Sequence, residues 1–451
     1  MAIEITKELL DNVSNLITNQ KDTALSDLFS DVHHADIAEV LDELSFDEAV
    51  YIIRLLDSET TSEVLMDVDD DVREKVLEQL SAKEIAEEID ELDTDDAADV
   101  IAELPEKRKQ EVMKEIEDEE HAKEIVELLR FDESSAGGLM AKELVKVNEN
   151  WSVLGCVTKM RDQAAEVTRV HSIYVVDDSG KLKGRLSLKD LLMASTKSKI
   201  ADIYIPRVDY VNVHDTAEDV ANKMRKYDLE AIPVVDELGI LVGRITIDDI
   251  VDVIKEEADK DYQLAAGITQ DVEADDTILE LTRARLPWLF LGLLGGIGAF
   301  LIMKNFEHTF KENAVLFFFT PLIAAMAGNV GVQSSAIIVQ GLANDDVKGS
   351  VNKRLIKEML LATLNGIALA IVLFLFVYFS DADNDLRISL AVSVSLVAVI
   401  IVAGLIGTFI PLFLDKRGID PAIATGPFIT TSNDIFGILI YFTIAKIILG
   451  Y

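Results

Sequence analysis

Apolar positions change their period twice along this chain. Over residues 1–130 they recur every three or four places among acids, the spacing of amphipathic helices. The stretches IAEVLDELSFDEAVYIIRLL (37–56) and IAEEIDELDTDDAADVIAEL (85–104) agree at ten of 20 positions, 48 residues apart. A repeated helical unit of this kind predicts a superhelical stack of short helices. HSIYVVDDSGKLKGRLSLKDLL (171–192) and EAIPVVDELGILVGRITIDDIV (230–251) agree at nine of 22 positions, 59 apart. Each reads as strand, glycine turn, strand, helix: a small α/β repeat. Beyond residue 285 come five long apolar segments, at 286–303, 314–342, 355–379, 388–414 and 421–449. A bilayer crossing takes about 20 such residues. A soluble domain could bury one or two of these helices, not five in succession. The expected organisation is multidomain: an all-α superhelical N domain (1–130), two α/β repeats (131–198 and 199–247), a connecting helix (248–280) and an all-α polytopic membrane domain (281–451).

Charge sharpens the division. Residues 1–280 hold 70 acids and 30 bases, whereas residues 281–451 hold 11 and 12. So acidic a surface repels nucleic acid and attracts cations. The single cysteine, Cys156, rules out an internal disulfide and fits a reducing compartment. MAIEITKELLDN has no basic region leading into an apolar stretch, so no cleavable signal is expected. Eight bases (Arg283, Arg285, Lys348, Lys353, Arg354, Lys357, Lys416, Arg417) fall on one side of the apolar segments, and three (Lys304, Lys311, Arg387) on the other. This excess places the N-terminus in the cytoplasm and the C-terminus outside the cell (inner) membrane.

The connector DDIVDVIKEEADKDYQLAAG (248–267) carries Asp248, Asp249, Asp252, Glu256, Glu257, Asp259 and Asp261 opposite an apolar stripe. Acidic N-terminal helices are expected on the same side of the membrane, and such faces repel unless a divalent cation neutralises them. Asp67, Asp69, Asp71 and Glu78 imitate a calcium loop, but Val72 stands where its turn needs glycine, so a helix junction is expected there.

The stretch TTSNDIFGILIY (430–441) sets Asp434 inside an apolar segment, with no base at comparable depth. A carboxylate there costs about 2.5–3.5 kcal/mol, so it usually faces a cavity or a partner. Thr430, Asp434, Gly437 and Tyr441 share one helical face, with Pro427 and Thr431 beside it; that face suits a water-lined cation path. Glu358 and Lys446 stand near segment ends, where they are expected to reach towards water. In the second segment, Pro321 is expected to open the helical ladder, with Gly328 and Gly331 loosening it further. Asn329, Gln333 and Ser334 add oxygens. Oxygen ligands with a single carboxylate suit a hard cation, and Mg²⁺, which holds its water tightly, could bind there through that water.

The pattern V-V-D followed by G-R-h-[ST]-h-x-D resembles the CBS domain. That resemblance implies a dimerising regulatory module, which in some members binds adenine nucleotide. The matching positions here are Ser187, Asp190, Thr246 and Asp249, each of which could equally cap a helix. Over almost its whole length the chain resembles the MgtE family of magnesium channels. The carrying motifs are Pro321, Gly328, Asn329, Gly331, Gln333 and Ser334, then Asp420, Pro421, Ala422, Pro427, Thr430, Asp434, Gly437, Ile440 and Tyr441. The resemblance implies a homodimer with the pore on its two-fold axis and Asp434 holding hydrated Mg²⁺. Pore-lining roles are expected for Pro321, Gly328, Asn329, Gly331, Pro427, Thr430 and Thr431. It also implies that the connector is a plug helix, closed by cytosolic Mg²⁺. By position, Asp95, Asp99, Asp248, Asp252, Glu257, Asp261 and Asp420 are the candidate regulatory ligands. Val330 and Val332 stand where the family is usually polar, which bears on selectivity. The alternative is a proton-coupled secondary transporter of divalent cations using the same aspartate. No G-x-x-x-x-G-K-[ST] loop, H-E-x-x-H or nucleophile elbow suggests an enzyme.

Overall fold

The computed structural model describes residues 5–164, 167, 169–269, 272, 276–308, 313–343, 347, 350–380, 386–424 and 426–450. Two of the loop bases counted above, Lys311 and Lys348, lie outside the described residues. The chain forms two compact units, 1–255 and 256–451.

The first unit begins with ten short helices: α1 (Lys7–Thr18), α2 (Asp22–Phe29), α3 (His34–Asp42), α4 (Phe46–Ile53), α5 (Ser58–Asp67), α6 (Asp70–Gln79), α7 (Ala82–Ile89), α8 (Thr94–Glu103), α9 (Glu106–Val112) and α10 (Glu119–Leu128). The repeat seen in the sequence is a helix pair, α3–α4 and again α7–α8. Helices pack on their second neighbours: α3 on α5, α5 on α7, α7 on α9, α4 on α6, and α8 on α10. Each helix is too short to persist alone, so the stack holds it. Ile37, Leu41, Ile52, Ile85, Ile89 and Ile101 are all at most 1% exposed and form the spine of that stack. The calcium-loop look-alike is a helix junction as expected: α5 ends at Asp67, α6 starts at Asp70, and Val72 is buried in the core.

One acid is buried at a cost. Burial pushes the Glu88 carboxyl up to about 7 despite the hydrogen bond it accepts from Ser58 Oγ (2.9 Å), with Glu87, Glu91 and Asp57 adding to the rise. Between the unfolded value near 4.5 and about 7 the folded state binds more protons than the unfolded one, so stability falls as pH rises through that window. Glu88→Gln should therefore stabilise the protein by about 1–2 kcal/mol at pH 8, discounted for residual exposure, and by little at pH 4.5. Thermal unfolding at the two pH values measures the difference.

The two α/β repeats follow. In one, β1 (Val145–Asn148) runs parallel to β2 (Ile173–Val176), which pairs antiparallel with β3 (Leu182–Leu186), itself beside the short β4 (Ile205–Pro206). In the other, β5 (Val211–Asn212) is parallel to β6 (Ala231–Val235), and β6 is antiparallel to β7 (Leu241–Thr246). Helices α11 (Val153–Gln163), α12 (Leu188–Met193) and α13 (Ala217–Tyr227) complete them. The hairpins turn on Gly180 and Gly239 at φ +80° and +79°, a region that favours glycine. Helix α14 (Ile247–Ala266) leads the chain from the first unit into the second.

The second unit is helical: α15 (Ile278–Glu307), α16 (Thr320–Ala343), α17 (Val351–Ser380), α18 (Leu386–Asp415) and α19 (Gly426–Leu449), each long and apolar enough to cross a membrane. Helix α18 is central, packing on α16, α17 and α19. Two expectations are corrected. Pro321 does not open the ladder of the second segment. It is the second residue of α16, where the missing N–H has no intrahelical acceptor to lose, and the helix runs on unbroken through Gly328 and Gly331. Glu358 does not reach outwards to water. It lies eight residues into α17, accepts a hydrogen bond from Ser334 Oγ (2.6 Å) and lies against Gly404 of α18. The fifth apolar segment is two elements, a 3-10 turn at Pro421–Ala424 and then α19; Asp420 caps the turn by accepting from the Ala422 N–H (2.8 Å).

Candidate ion pathway and cation cluster

Helices α16 and α19 form an open cleft of about 510 Å³, lined by Ala324, Ala325, Gly328, Asn329, Val332, Gln333, Thr430 and Asp434. Six waters occupy roughly 180 Å³, so a fully hydrated Mg²⁺ fits. Asp434 is half-buried there, and its carboxylate has no hydrogen-bond or ion-pair partner among the described residues. The Thr430 hydroxyl, in the cavity lining, donates to the Gly426 carbonyl (2.9 Å), so its oxygen keeps its capacity to accept. Val332 makes part of that wall apolar, while Val330 packs into the core.

A second group of acids lies in the first unit. Asp93 caps α8, Asp95 and Asp96 open it, and Glu143 approaches from the segment before β1. Ligand oxygens of Asp93, Asp95 and Glu143 lie within 4.8 Å of one another. Glu143 is fixed by the Thr94 N–H (3.2 Å) and hydroxyl (2.9 Å), and Arg244 reaches Asp93 (3.1 Å). Burial, reinforced by Asp96, Asp249, Asp93 and Glu143, holds the Asp95 carboxyl well above the usual carboxylate range. Burial with Asp249, Asp93, Asp99 and Asp248 nearby pushes Asp96 up to about 7. Arg244 is thus paired with one member of a group of five carboxylates (Asp93, Asp95, Asp96, Glu143 and Asp249), an oxygen-donor set that suits a hard cation.

The membrane-spanning segment matches the model for a divalent cation transporter at residues 320–444; the MgtE intracellular N domain matches at 32–134 and the CBS domain at 136–197 and 200–256. The magnesium transporter MgtE of Enterococcus faecalis is 37% identical over 72% of this chain and 71% of its own. The chain belongs to the MgtE family of magnesium transporters. The Thermus thermophilus MgtE is 35% identical over 71% of this chain and 72% of its own. The crystal structure of the cytosolic domain of the Mg²⁺ channel MgtE in complex with ATP covers 54% of this chain and 99% of its own at a TM-score of 0.51 and 33% identity.

Against the MgtE expectations, the cavity brings together Gly328, Asn329 and Thr430 with Asp434 and leaves four candidates elsewhere. Pro321 sits exposed at the start of α16. Gly331 is buried between Asn433 and Gly407, Thr431 packs on Gly295 of α15, and Pro427 packs on Gly267. The stripe proposed for a path divides along its length. Thr430 and Asp434 line the cavity, but Gly437 lies against Ala327 and Val399, and the fully buried Tyr441 donates to the Leu316 carbonyl (2.8 Å). Neighbouring elements cover α19 at that depth.

Among the regulatory candidates, Asp95 and Asp248 join the acidic cluster, Asp99 lies one turn along α8, and Asp252 is exposed on α14. Glu257, Asp261 and Asp420 gather around Lys260 instead. Its ammonium pairs with Glu257 (3.2 Å), and that bond, with Asp420 and Asp261 near, raises its pKa. Of the CBS motif residues, Asp249 accepts from the Thr246 N–H (3.1 Å) and hydroxyl (2.6 Å), a capping arrangement at the start of α14, whereas Ser187 precedes α12 and Asp190 lies in its first turn. The residues missed from sequence are Asp93, Asp96 and Glu143 in the cluster and Ala324 and Ala325 as cavity lining, whereas Gln333, expected to add an oxygen, does line the cavity.

Proposed function

We propose that the protein is a Mg²⁺-selective channel for magnesium uptake that closes when cytosolic Mg²⁺ binds the acidic faces of its N, CBS and connector regions. The observation that carries this reading is the unpartnered Asp434 carboxylate facing a cavity large enough for a hydrated divalent ion. Asn329, Gln333 and Thr430 supply oxygens suited to the ion's water rather than to the bare ion. Asn329 and Gln333 are exposed in the single chain, so a second copy facing them would close the path; this supports a homodimer. The excess of loop bases supports a cytoplasmic N-terminus and an external C-terminus. The ATP complex of the related cytosolic domain supports adenine nucleotide at Ser187, Asp190, Thr246 and Asp249, where a ribose would compete with Thr246 for Asp249. The reading is tested by Mg²⁺ uptake into liposomes holding the full-length protein and a Mg²⁺ dye. Uptake that Ca²⁺ does not match is expected; no uptake at low Mg²⁺ would reduce the protein to a sensor.

Gating has a mechanical route. The end of α14 meets the start of α19 at two glycines with positive φ. A Cβ on Gly426 (φ +36°) would lie 2.2 Å from the Ala265 carbonyl oxygen, and one on Gly267 (φ +83°) would lie 2.4 Å from Pro427 Cγ. Movement of the connector therefore passes directly to the helix bearing Asp434. Gly426→Val should part the two helices and raise the Mg²⁺ concentration needed for closure at least tenfold, measured as flux against cytosolic Mg²⁺.

A further inference from the structure

We propose that Asn433 is a positioning residue that sets the rotation and depth of α19, and so decides how the Asp434 carboxylate meets the ion. The inference rests on Asp434 being the ion-binding carboxylate. Asn433 is 1% exposed in the membrane-spanning unit. Its amide donates to the Ala327 carbonyl of α16 (3.2 Å), one residue before Gly328 of the cavity wall. The same amide fills a notch at Gly331, where a Cβ would stand 1.8 Å from Nδ2. Behind that notch, a Cβ on Gly407 of α18 would lie 2.3 Å from the Gly331 carbonyl oxygen. Three helices thus meet at Gly331, Gly407 and Asn433 with no room for a methyl group.

The lock constrains its neighbour. Adjacent helical residues differ by about 100° in direction and 1.5 Å in height, so fixing one fixes where the next points. A hydrogen bond resists rotation of α19, and the filled notch resists sliding along α16. Both restraints act one residue from Asp434 and against α16, the helix whose other face carries Asn329 and Gln333. An ion held through its water shell responds steeply to where the carboxylate stands, because the water layer cannot stretch to follow it.

Asn433→Leu keeps the branching and heavy-atom count of the side chain and replaces the donating amide by a bulkier methyl group, so it disturbs both the bond and the notch. In liposomes bearing the full-length protein, it should raise the Mg²⁺ concentration giving half-maximal flux about tenfold and narrow the preference for Mg²⁺ over Ca²⁺, with maximal flux reduced less than threefold. Gly331→Ala should do the same, since the new methyl group displaces the amide. Gly331→Ala added to Asn433→Ala should cost less than threefold more, because the notch is then empty. Folding is checked by elution as a single species. Half-saturation and selectivity unchanged in Asn433→Leu, or independent effects of Gly331→Ala and Asn433→Ala, overturn the inference. Asp434→Asn run alongside separates the two ideas: if it leaves flux intact, the ion-site reading itself fails, whatever the Asn433 variants do.

Discussion

Asp434→Ala is expected to abolish Mg²⁺ flux, leaving less than about 1% of the wild-type rate, in a protein that still folds and inserts. A divalent ion held one water layer from a carboxylate, about 4–5 Å away, interacts with it by roughly 7–8 kcal/mol at an effective dielectric near 20. Lost hydration of both partners offsets part of this, but a remainder of 3 kcal/mol is already a factor above 100. Folding survives because removing an unpaired acid from an apolar segment relieves a cost. Asp434→Asn, which keeps size and loses charge, should fail to the same extent. Flux retained in Asn but lost in Ala would mean that shape, not charge, matters. Uptake into liposomes measures both variants.

The second large effect concerns the acidic cluster. On the proposed gating, neutralising Asp95 and Glu143 together, as Asp95→Asn with Glu143→Gln, should leave the channel open at Mg²⁺ concentrations that close the wild type, shifting the closing concentration tenfold or more. Two charged carboxylates whose oxygens lie within 4.8 Å of each other repel by roughly 3 kcal/mol or more at an effective dielectric near 20. Arg244 pairs with Asp93 and favours the charge on Asp249, but among the described residues no cation pairs with Asp95, Asp96 or Glu143. A cation bridging Asp93, Asp95 and Glu143 would therefore bind the packed arrangement better than any arrangement that separates them, and would shift the population towards it. The double variant keeps only Asp93 of the three candidate ligands and has much less repulsion to relieve, so Mg²⁺ should add far less stability there. Protease protection with and without Mg²⁺, beside flux against cytosolic Mg²⁺, checks both parts. Closure unchanged in the double variant would place the sensor elsewhere, with the acids around Lys260 next in line.

Much of the architecture was legible because each part has its own period. The helix pairs α3–α4 and α7–α8 are the sequence repeat itself, and the hairpin glycines mark the α/β repeats. Asp434 was legible from hydropathy, as an acid deep in an apolar segment with no base at its level. Which neighbour covers each side of a helix was not. Thr431 and Thr430 are adjacent hydroxyls, yet α15 covers one and the cavity takes the other. Glu358 looked terminal because the apolar stretch starts at 355, but α17 starts at Val351 and carries the acid inward. The cluster had a signal that went unused. The first repeat copy opens its second helix with Ser45-Phe-Asp-Glu48, a capping box, whereas the second copy has Asp93-Thr-Asp-Asp96 at the same place. A copy that exchanges a capping serine for a further acid, and an exposed Phe46 for a fully buried Thr94, has acquired something besides a helix start. Glu143 had no such mark, since its approach to α8 depends on how the segment before β1 folds back.

The most direct measurement of a Mg²⁺ channel lined by Asp434 is the reversal potential of the current through the full-length protein in a planar bilayer. With a tenfold Mg²⁺ gradient at equal pH, the current should reverse about 30 mV from zero, the value for a freely passing divalent ion, and an opposing pH gradient should not move it. A reversal potential that follows the pH gradient, or a flux that carries no current, contradicts a channel and leaves proton exchange at Asp434 in its place.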